Sequence, residues 1–262
     1  MFRALYTAAS GMAAQQLNLD NTANNLANVS TAGFRKRRLE FRDLLYQNLV
    51  VPGSASTQQT SNAGLQIGLG TKTAASEIIQ TQGDFTTTGN PLDITIQGQG
   101  FFQVRQQSGE LAYTRAGSFH LDAQGNVVTS DGLPLQPAIT IPPSATNISI
   151  GQDGTVGVTL PNQVNSQTVG QILLATFPNP GGLNSVGQNL LLPTTASGDA
   201  ITGTAGGSEG LGTLQQGMLE SSNVSVVDEF VQMILTQRAF ESNQKVVKAA
   251  DEMIQMVNNL GH

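Results

Sequence analysis

The chain has 262 residues, of which 39% are hydrophobic and 11% are charged, and its formal net charge is −6. This negative balance disfavours general nucleic-acid binding, which needs a basic surface. The charged fraction is well below the ~25% of ordinary soluble domains, and Gly, Ser, Thr, Asn and Gln are abundant. Such a composition is typical of an extracytoplasmic β-rich or self-assembling protein and disfavours a metabolic enzyme.

Two kinds of segment are missing from the sequence. It has no run of about 18 apolar residues, so we expect no membrane insertion. The first 29 residues lack the apolar core of about 7–15 residues that defines a secretory signal peptide. We therefore expect that the protein, if it leaves the cytosol, does so without a cleaved leader.

The first predicted element is a helix within residues 1–34. Its seam residues recur at alternating spacings of four and three, the heptad period of about 3.5 that winds a helix around a partner. The members are Leu5, Ala9, Met12, Gln16, Leu19, Ala23 and Leu26. Because two members are Ala and one is Gln, the seam gains little apolar area alone. We expect this helix to pack against another helix.

Residues 35–88 are predicted to form an extended linker region. The region begins with a basic cluster: Arg35, Lys36, Arg37, Arg38 and Arg42. One interpretation is a solvated charged face. We favour a contact with acidic groups of a neighbouring subunit, for example Asp228, Glu229 and Glu241, and we disfavour nucleic acid because no second basic patch occurs.

The linker region also contains a long polar tract. Residues 51–70 are rich in Pro, Gly, Ser, Thr and Gln, which indicates a functional loop or a linker. Residues 71–88 are predicted to be extended.

Residues 89–225 are predicted to form an all-β outer domain. Leu92, Ile94 and Ile96 alternate with polar residues, as in a strand with one buried face. Glycine-containing hairpin turns are expected at residues 108–109, 124–126, 130–132 and 152–154.

Two further stretches complete the predicted β-domain. Residues 169–177 predict one buried strand. Residues 178–217 hold ten of the 29 Gly residues, and we expect loops and irregular extended chain there.

The last predicted element is a helix over residues 226–260. Asn223 or Ser225 is the expected N-cap, and Asp228 and Glu229 favour the positive end of the helix. Two seams lie two positions out of phase, or about 200° apart. The main members of one seam are Leu235, Val246, Met253 and Leu260, and those of the other are Phe230, Met233, Gln237 and Phe240. A helix that is apolar on two sides needs more than one neighbour.

These elements predict an α+β fold. Residues 1–34 and 226–262 form a coiled-coil hairpin of long terminal helices, and an all-β domain and an extended linker region are inserted between them. Neighbouring subunits are expected to bury the spare helix faces.

The sequence offers no catalytic, cofactor-binding or metal site. His120 and His262 are its only histidines, and it has no Cys, so neither a metal cluster nor a Ser-His-Asp triad can be proposed. We expect no cofactor and no enzymatic activity. The alternative from another class, a secreted β-rich adhesin or enzyme, predicts a pocket with convergent polar groups.

The sequence resembles the bacterial flagellar rod and hook axial protein family nearly from end to end. The resemblance is carried by residues 8–12 (AASGM), 23–34 (ANNLANVSTAGF), 43–47 (DLLYQ), 98–104 (GQGFFQV), 113–119 (YTRAGSF), 222–224 (SNV) and 237–243 (QRAFESN). Residues 46–70 and the total length fit distal-rod members better than hook proteins. A hook or proximal-rod role is the alternative.

The resemblance implies a structural subunit of the flagellar basal body, located between the periplasm and the outer membrane. The subunit would polymerise into a rigid helical tube that surrounds the export channel and transmits motor torque to the hook. It would be exported by the type III apparatus. The implied partners are copies of itself, proximal-rod proteins, hook protein, peptidoglycan and outer-membrane ring proteins, and the rod cap.

Overall fold

The computed structural model describes residues 2–50, 55–56, 59–60, 64–161, 166–207 and 210–260. Contacts within the chain divide it into two units. The helical unit comprises the described residues of Met1–Ala27, Arg37–Glu77 and Ser225–His262, and the β unit comprises those of Asn28–Lys36 and Ile78–Val224. The predicted linker region, residues 35–88, is thus divided between the units.

Two long helices pack against each other in the helical unit: α1, Phe2–Ala27, and α2, Val226–Leu260. Both bounds agree with the heptad patterns. Ser225, one of the two predicted N-caps, accepts a hydrogen bond through Oγ from the backbone N of Asp228 at 3.4 Å. Asn223, the other, is used within the β unit, where its Oδ1 accepts the backbone N–H of Lys36 at 2.7 Å.

The strands of the helical unit form antiparallel ribbons. They are β1 (Arg37–Asp43), β2 (Tyr46–Val50), β3 (Ala55–Ser56), β4 (Gln59–Thr60), β5 (Leu65–Gly68) and β6 (Thr71–Ile78). The pairs are β1 with β6, β2 with β5, and β3 with β4. The tract 51–70, predicted as a loop or linker, lies partly outside the described residues, and its described part contains β3, β4 and β5.

The β unit contains shorter strands. They are β7 (Phe85–Thr87), β8 (Ile94–Gln97), β9 (Phe101–Arg105), β10 (Leu111–Thr114), β11 (Phe119–Leu121), β12 (Val127–Thr129), β13 (Leu135–Gln136), β14 (Asn147–Ile150), β15 (Thr155–Thr159), β16 (Gln167–Gln171), β17 (Leu173–Thr176), β18 (Asn184–Gly187), β19 (Leu190–Leu192), β20 (Ile201–Thr204), β21 (Thr213–Gln216) and β22 (Met218–Glu220). A 3₁₀ turn, Pro180–Gly182, follows β17.

The main sheet has the order β18-β19-β10-β9-β17-β20, and β13 also pairs with β9. A three-stranded sheet joins β14, β15 and β16, and the remaining pairs are β11 with β12, β8 with β21, and β7 with β22. The fold is therefore α+β, with two packed terminal helices and a central all-β region, as the sequence predicts.

All four predicted turns are present. Three are hairpins, because they join strands that pair with each other, whereas the turn at residues 130–132 joins β12 and β13, which belong to different sheets. Each connects consecutive strands and contains a glycine with positive φ, a conformation that glycine adopts without steric cost. These glycines are Gly109 (φ 89°), Gly125 (83°), Gly132 (78°) and Gly154 (86°).

Two predictions for the later β-structure are wrong. Residues 169–177 are not one strand, because the chain leaves one sheet at Gln171 and enters another at Leu173. Residues 178–217 are not irregular, because they contain β18 to β21. These strands have only three or four residues, too few to show an alternating pattern, and Gln188 (φ 54°) and Asn189 (φ 57°) turn the chain between β18 and β19.

The hydrophobic core described by the structure lies in the β unit. Phe102 and Phe119, both fully buried, pack edge to face with ring centroids 5.1 Å apart. Leu135 and Leu174 are equally buried in the same cluster. A second cluster forms around Phe101, Tyr113 and Phe177. Burial raises the pKa of the Tyr113 hydroxyl.

Candidate assembly surfaces

The contact between α1 and α2 lacks large apolar side chains. Among the described residues of the helical unit, the buried apolar ones are three alanines: Ala8, Ala14 and Ala250. The other buried residues of these helices are polar: Thr22, Asn25, Glu229 and Thr236. Alanine buries little area, so this contact supplies little hydrophobic stabilisation.

Polar groups connect the two helices instead. Asn18 Nδ2 donates to Thr236 Oγ1 at 3.0 Å, and Asn25 Nδ2 lies 3.4 Å from Glu229 Oε2. The α1 backbone also comes close to α2 at Gly11, since a Cβ there would lie 2.9 Å from Nδ2 of the Asn243 side chain. The pairing is therefore fixed by hydrogen bonds and close approach.

Large apolar side chains of α2 face solvent instead. Val227 is 70% exposed and Leu235 is 58% exposed. The same holds for Phe230, Val231, Ile234, Val246, Met253, Met256 and Val257. On α1, Tyr6 and Leu17 are exposed. Soluble monomers rarely expose contiguous apolar patches larger than a few hundred Å², so these faces are candidates for contact with other molecules.

The α1 residues buried against α2 are not those of the predicted seam. They form a row that lies one position earlier in the sequence. Leu5, Met12, Leu19 and Leu26 are half-buried, and Ala9, Gln16 and Ala23 are exposed. The buried row contains Ala8, Thr22 and Asn25, each one residue earlier. One residue turns a helix by about 100°, so much of the seam remains accessible. Its role between subunits stays a prediction.

The predicted α2 seams are also largely accessible. Met233 and Phe240 are half-buried, whereas Phe230, Leu235, Gln237, Val246 and Met253 are exposed. The side chain of Leu260 lies outside the described residues. Leu235, Val246 and Met253 lie 11 and 7 positions apart, close to multiples of the helical repeat, so they share one side of α2.

The hairpin of β2 and β5 forms a further apolar surface. Leu45, next to β2, is 85% exposed. Tyr46, Leu49, Leu65 and Ile67 are exposed as well. Because β5 lies within the tract 51–70, this tract also presents exposed apolar side chains, those of Leu65 and Ile67.

The basic cluster does not form one charged face. In the β unit, Arg35 is buried and its Nη2 lies 2.6 Å from Glu220 Oε1, while Arg115 Nε lies 2.7 Å from Glu220 Oε2. In the helical unit, the exposed Arg38 pairs with Glu77 at 2.9 Å. Burial lowers the pKa of Arg35, and the charge of Glu220 opposes this shift.

The other charged residues predicted between subunits differ in exposure. Glu229 is buried beside Asn25, and Arg35 pairs with Glu220 within the chain. Arg42, Asp228 and Glu241 are exposed, and Lys36 and Arg37 are half-buried. For these residues the assembly role stays a prediction.

Sequence reasoning missed Glu220 and Arg115, the partners that organise the buried ion pairs. They are 105 positions apart, so no local spacing connects them. The available signal was the YTRAGSF motif, residues 113–119, which contains Arg115 but was used only for the resemblance.

Within its described residues the chain lacks two other features, a membrane-spanning helix and a metal cluster. Neither described helix combines the length and apolarity needed to cross a membrane. The described residues contain no group of three or more potential metal ligands. His120 lies exposed in β11, and His262 lies outside the described residues.

Family comparisons match three parts of the chain. Residues 5–35 match flagella basal body rod proteins, residues 95–171 match the D1 domain of flagellar hook proteins FlgE/F/G, and residues 215–260 match the C-terminal region of flagellar basal body rod proteins FlgEFG. The first and last matches include α1 and α2. The central match covers β8 to β16.

Full-length relatives give the same result. The flagellar basal-body rod protein FlgG of Caulobacter vibrioides is 49% identical, with 98% of this chain and 99% of the relative covered. FlgG of Bacillus subtilis is 39% identical, with 99% of both chains covered. The flagellar basal-body rod protein FlgF of Caulobacter vibrioides is 32% identical over 97% of this chain and 95% of its own length.

Proposed function

The chain belongs to the family of flagellar hook and basal-body rod proteins, and we propose that it builds the distal rod by associating with copies of itself. Its role is structural. The higher identity to FlgG proteins, 49% and 39%, than to FlgF, 32%, supports the distal position. In this proposal the subunits form a rigid helical tube that surrounds the export channel and transmits motor torque to the hook.

One observation carries the self-association. The helical unit buries alanines and polar groups inside, while side chains as large as Leu235 and Met256, each 58% exposed, face outward. Fully burying one such side chain contributes about 1.5–3 kcal/mol. Contacts between the helices of neighbouring copies would supply the hydrophobic burial that the single chain lacks.

The proposal includes further partners and a location. The tube would join proximal-rod proteins at one end and hook protein at the other, and would grow beneath a rod cap. It would turn inside the peptidoglycan and outer-membrane rings, between the periplasm and the outer membrane. The subunits would reach the tip through the type III export apparatus without cleavage of a signal peptide.

The hairpin of β2 and β5 is proposed to bridge neighbouring subunits together with the tract 51–70. Its exposed Leu45, Tyr46 and Leu65 support this role, because they add exposed apolar area to that of the helices. Additional bridges of this kind would stiffen the tube.

The self-association is tested by Leu235→Glu. Placing a charge on the exposed α2 face should raise the critical concentration for tube formation at least about tenfold, since it removes burial of about 1.5–3 kcal/mol per contact. The measurement is pelleting of the purified chain over a concentration series, with tubes identified by electron microscopy. The matched control is Gln124→Glu, which adds one negative charge at an exposed turn position of the β unit.

Unfolding of each variant should stay within about 0.5 kcal/mol of wild type, as for other surface substitutions. Equal critical concentrations for wild type and Leu235→Glu would contradict the proposed face. A wild-type chain that forms no polymer would contradict the self-association itself.

A further inference from the structure

A cavity of about 240 Å³ lies within the β unit, beside the buried ion pairs. Its wall includes two arginines and a glutamine, Arg35, Arg115 and Gln80, together with apolar side chains such as Phe101 and Phe177. Concave sites of this kind, mostly apolar with a few polar groups, are where proteins bind small groups.

Two hydrogen-bond donors at this wall lack a protein acceptor. The side chain of Arg35 is only 8% exposed. Its Nη2 pairs with Glu220, and its Nη1 donates to the carbonyl oxygen of Thr81. The Nε of Arg35 and the Nε2 of Gln80 are both buried and have no acceptor among the described residues. Buried polar groups are almost always paired, so both donors indicate an acceptor from outside the described chain.

The buried charges in this cluster do not balance. Arg35 and Arg115 share the single carboxylate of Glu220. The other nitrogens of Arg115 donate to backbone carbonyls, including those of Ile96 at 2.9 Å and Gly98 at 2.5 Å. Two guanidinium groups and one carboxylate leave one positive charge in excess. An uncompensated buried charge is costly, so an additional anion would stabilise the cluster.

We propose that this cavity binds a carboxylate, supplied by an acidic side chain of a neighbouring copy of the chain. The Nε of Arg35 and Nε2 of Gln80 donate to the carboxylate oxygens, and the rings of Phe101 and Phe177 contact the methylene groups of the incoming side chain. Arginine is well suited to such charge-assisted hydrogen bonds.

The source of the carboxylate rests on the proposed self-association. The chain has 18 acidic residues against 12 basic ones, so a second copy presents more acidic than basic groups. A contact of this kind would contribute to subunit association and would fix the position of one β unit against its neighbour.

The cavity is tested with the full-length chain and propionate as the probe. Below the critical concentration for assembly, propionate should shift the NMR signals of the Arg35 Nε–H and the Gln80 side-chain amide in a saturable way. Gln80→Met keeps a similar volume and leaves the Arg35–Glu220 pair intact, but removes one donor. It should weaken propionate binding about tenfold. The control is Gln124→Met, at an exposed turn position, which should bind propionate as wild type does.

The critical concentration for assembly tests whether the carboxylate comes from a neighbouring copy. Propionate should raise the critical concentration of wild type at least threefold by competing with the neighbour's carboxylate, and should have little effect on Gln80→Met. Absence of a saturable shift would overturn the carboxylate site, while the self-association would stand on its own test. A saturable shift with no effect of propionate on assembly would overturn the neighbouring copy as the source and indicate a free small carboxylate.

Discussion

Gly33 shows what a glycine does in the ANNLANVSTAGF motif. Its φ is +69°, and its N–H donates to the carbonyl oxygen of Glu220 at 2.8 Å. A Cβ at this position would lie 2.7 Å from the backbone N of Ala116 and the carbonyl carbon of Arg115. Both the conformation and the space therefore require glycine, and the backbone nearby belongs to the YTRAGSF motif.

We predict that Gly33→Ala destabilises the β unit by about 2–5 kcal/mol. The left-handed conformation costs about 1–2 kcal/mol for an L-residue, and forcing atoms into filled space adds about 1–3 kcal/mol. The matched control is Gly89→Ala, because Gly89 has φ +72° and nothing within 4 Å of the added Cβ. Gly89→Ala should lose only the about 1–2 kcal/mol that the left-handed conformation costs. Urea unfolding measures the free energy of unfolding of both variants. Equal losses would contradict the steric clash predicted for a Cβ at Gly33.

At the scale of single residues, the sequence predicted local requirements better than distant partners. The glycine-containing turns were predictable, because each depends on residues within a few positions of one another. The pairing of Arg115 with Glu220 did not, because it joins residues 105 positions apart that only the folded backbone brings together. The same reason kept Arg35 among the exposed cluster in the sequence-based interpretation.

Asn25 connects two elements of the helical unit, α1 and the start of β1. Its Nδ2 donates to the carbonyl oxygen of Arg37 at 2.9 Å, and its Oδ1 accepts the Arg37 N–H at 3.0 Å. Asn21 Nδ2 donates to the same carbonyl at 2.8 Å. A side-chain amide that pairs with both groups of one backbone unit imitates a neighbouring strand.

We predict that Asn25→Ala speeds hydrogen exchange of the Arg37 amide at least about tenfold. The variant removes the Asn25 oxygen that accepts this N–H, and the loss of a hydrogen bond away from water costs about 1–3 kcal/mol. Asn21→Ala is the control, since it removes one bond to the Arg37 carbonyl and keeps the bond to the N–H. Equal exchange rates in the two variants would show that Asn25 does not hold β1.

At the scale of elements, helix bounds were predictable and helix faces were not. The heptad period of α1 and α2 persists over many residues, so it fixed their extent. The seam of α1 was displaced by one residue from the row that meets α2, because that row uses Ala8, Thr22 and Asn25. The large apolar residues of these helices lie on faces that stay exposed in the single chain. The contact between α1 and α2 is formed by alanines and polar residues instead.

At the scale of the whole molecule, apolar burial is unevenly distributed. Both hydrophobic clusters of the described residues lie in the β unit. The helical unit buries three alanines as its apolar residues among those described. Local stability follows buried apolar contacts, so the two units should differ in their resistance to opening.

We predict that, in the dilute isolated chain, amides in the middle of α2 exchange at least about 100-fold faster than those of β9 and β10. Strand β9 contains Phe102 and Val104, both fully buried, so its hydrogen bonds open only with the core. The helix has no comparable core, and most of the stability of helices in proteins comes from tertiary packing of an apolar face. Hydrogen exchange with residue resolution is the measurement.

Assembly should slow hydrogen exchange in the helical unit and leave that of the β unit nearly unchanged. Above the critical concentration, protection of α2 should rise toward that of β9, because neighbouring copies then cover Leu235 and Met253, while β9 should change little. Leu235→Glu at the same concentration should keep the pattern of the isolated chain. If α2 of the isolated chain is already as protected as β9, the helical contact is stable by itself, and the exposed faces are not needed to complete it.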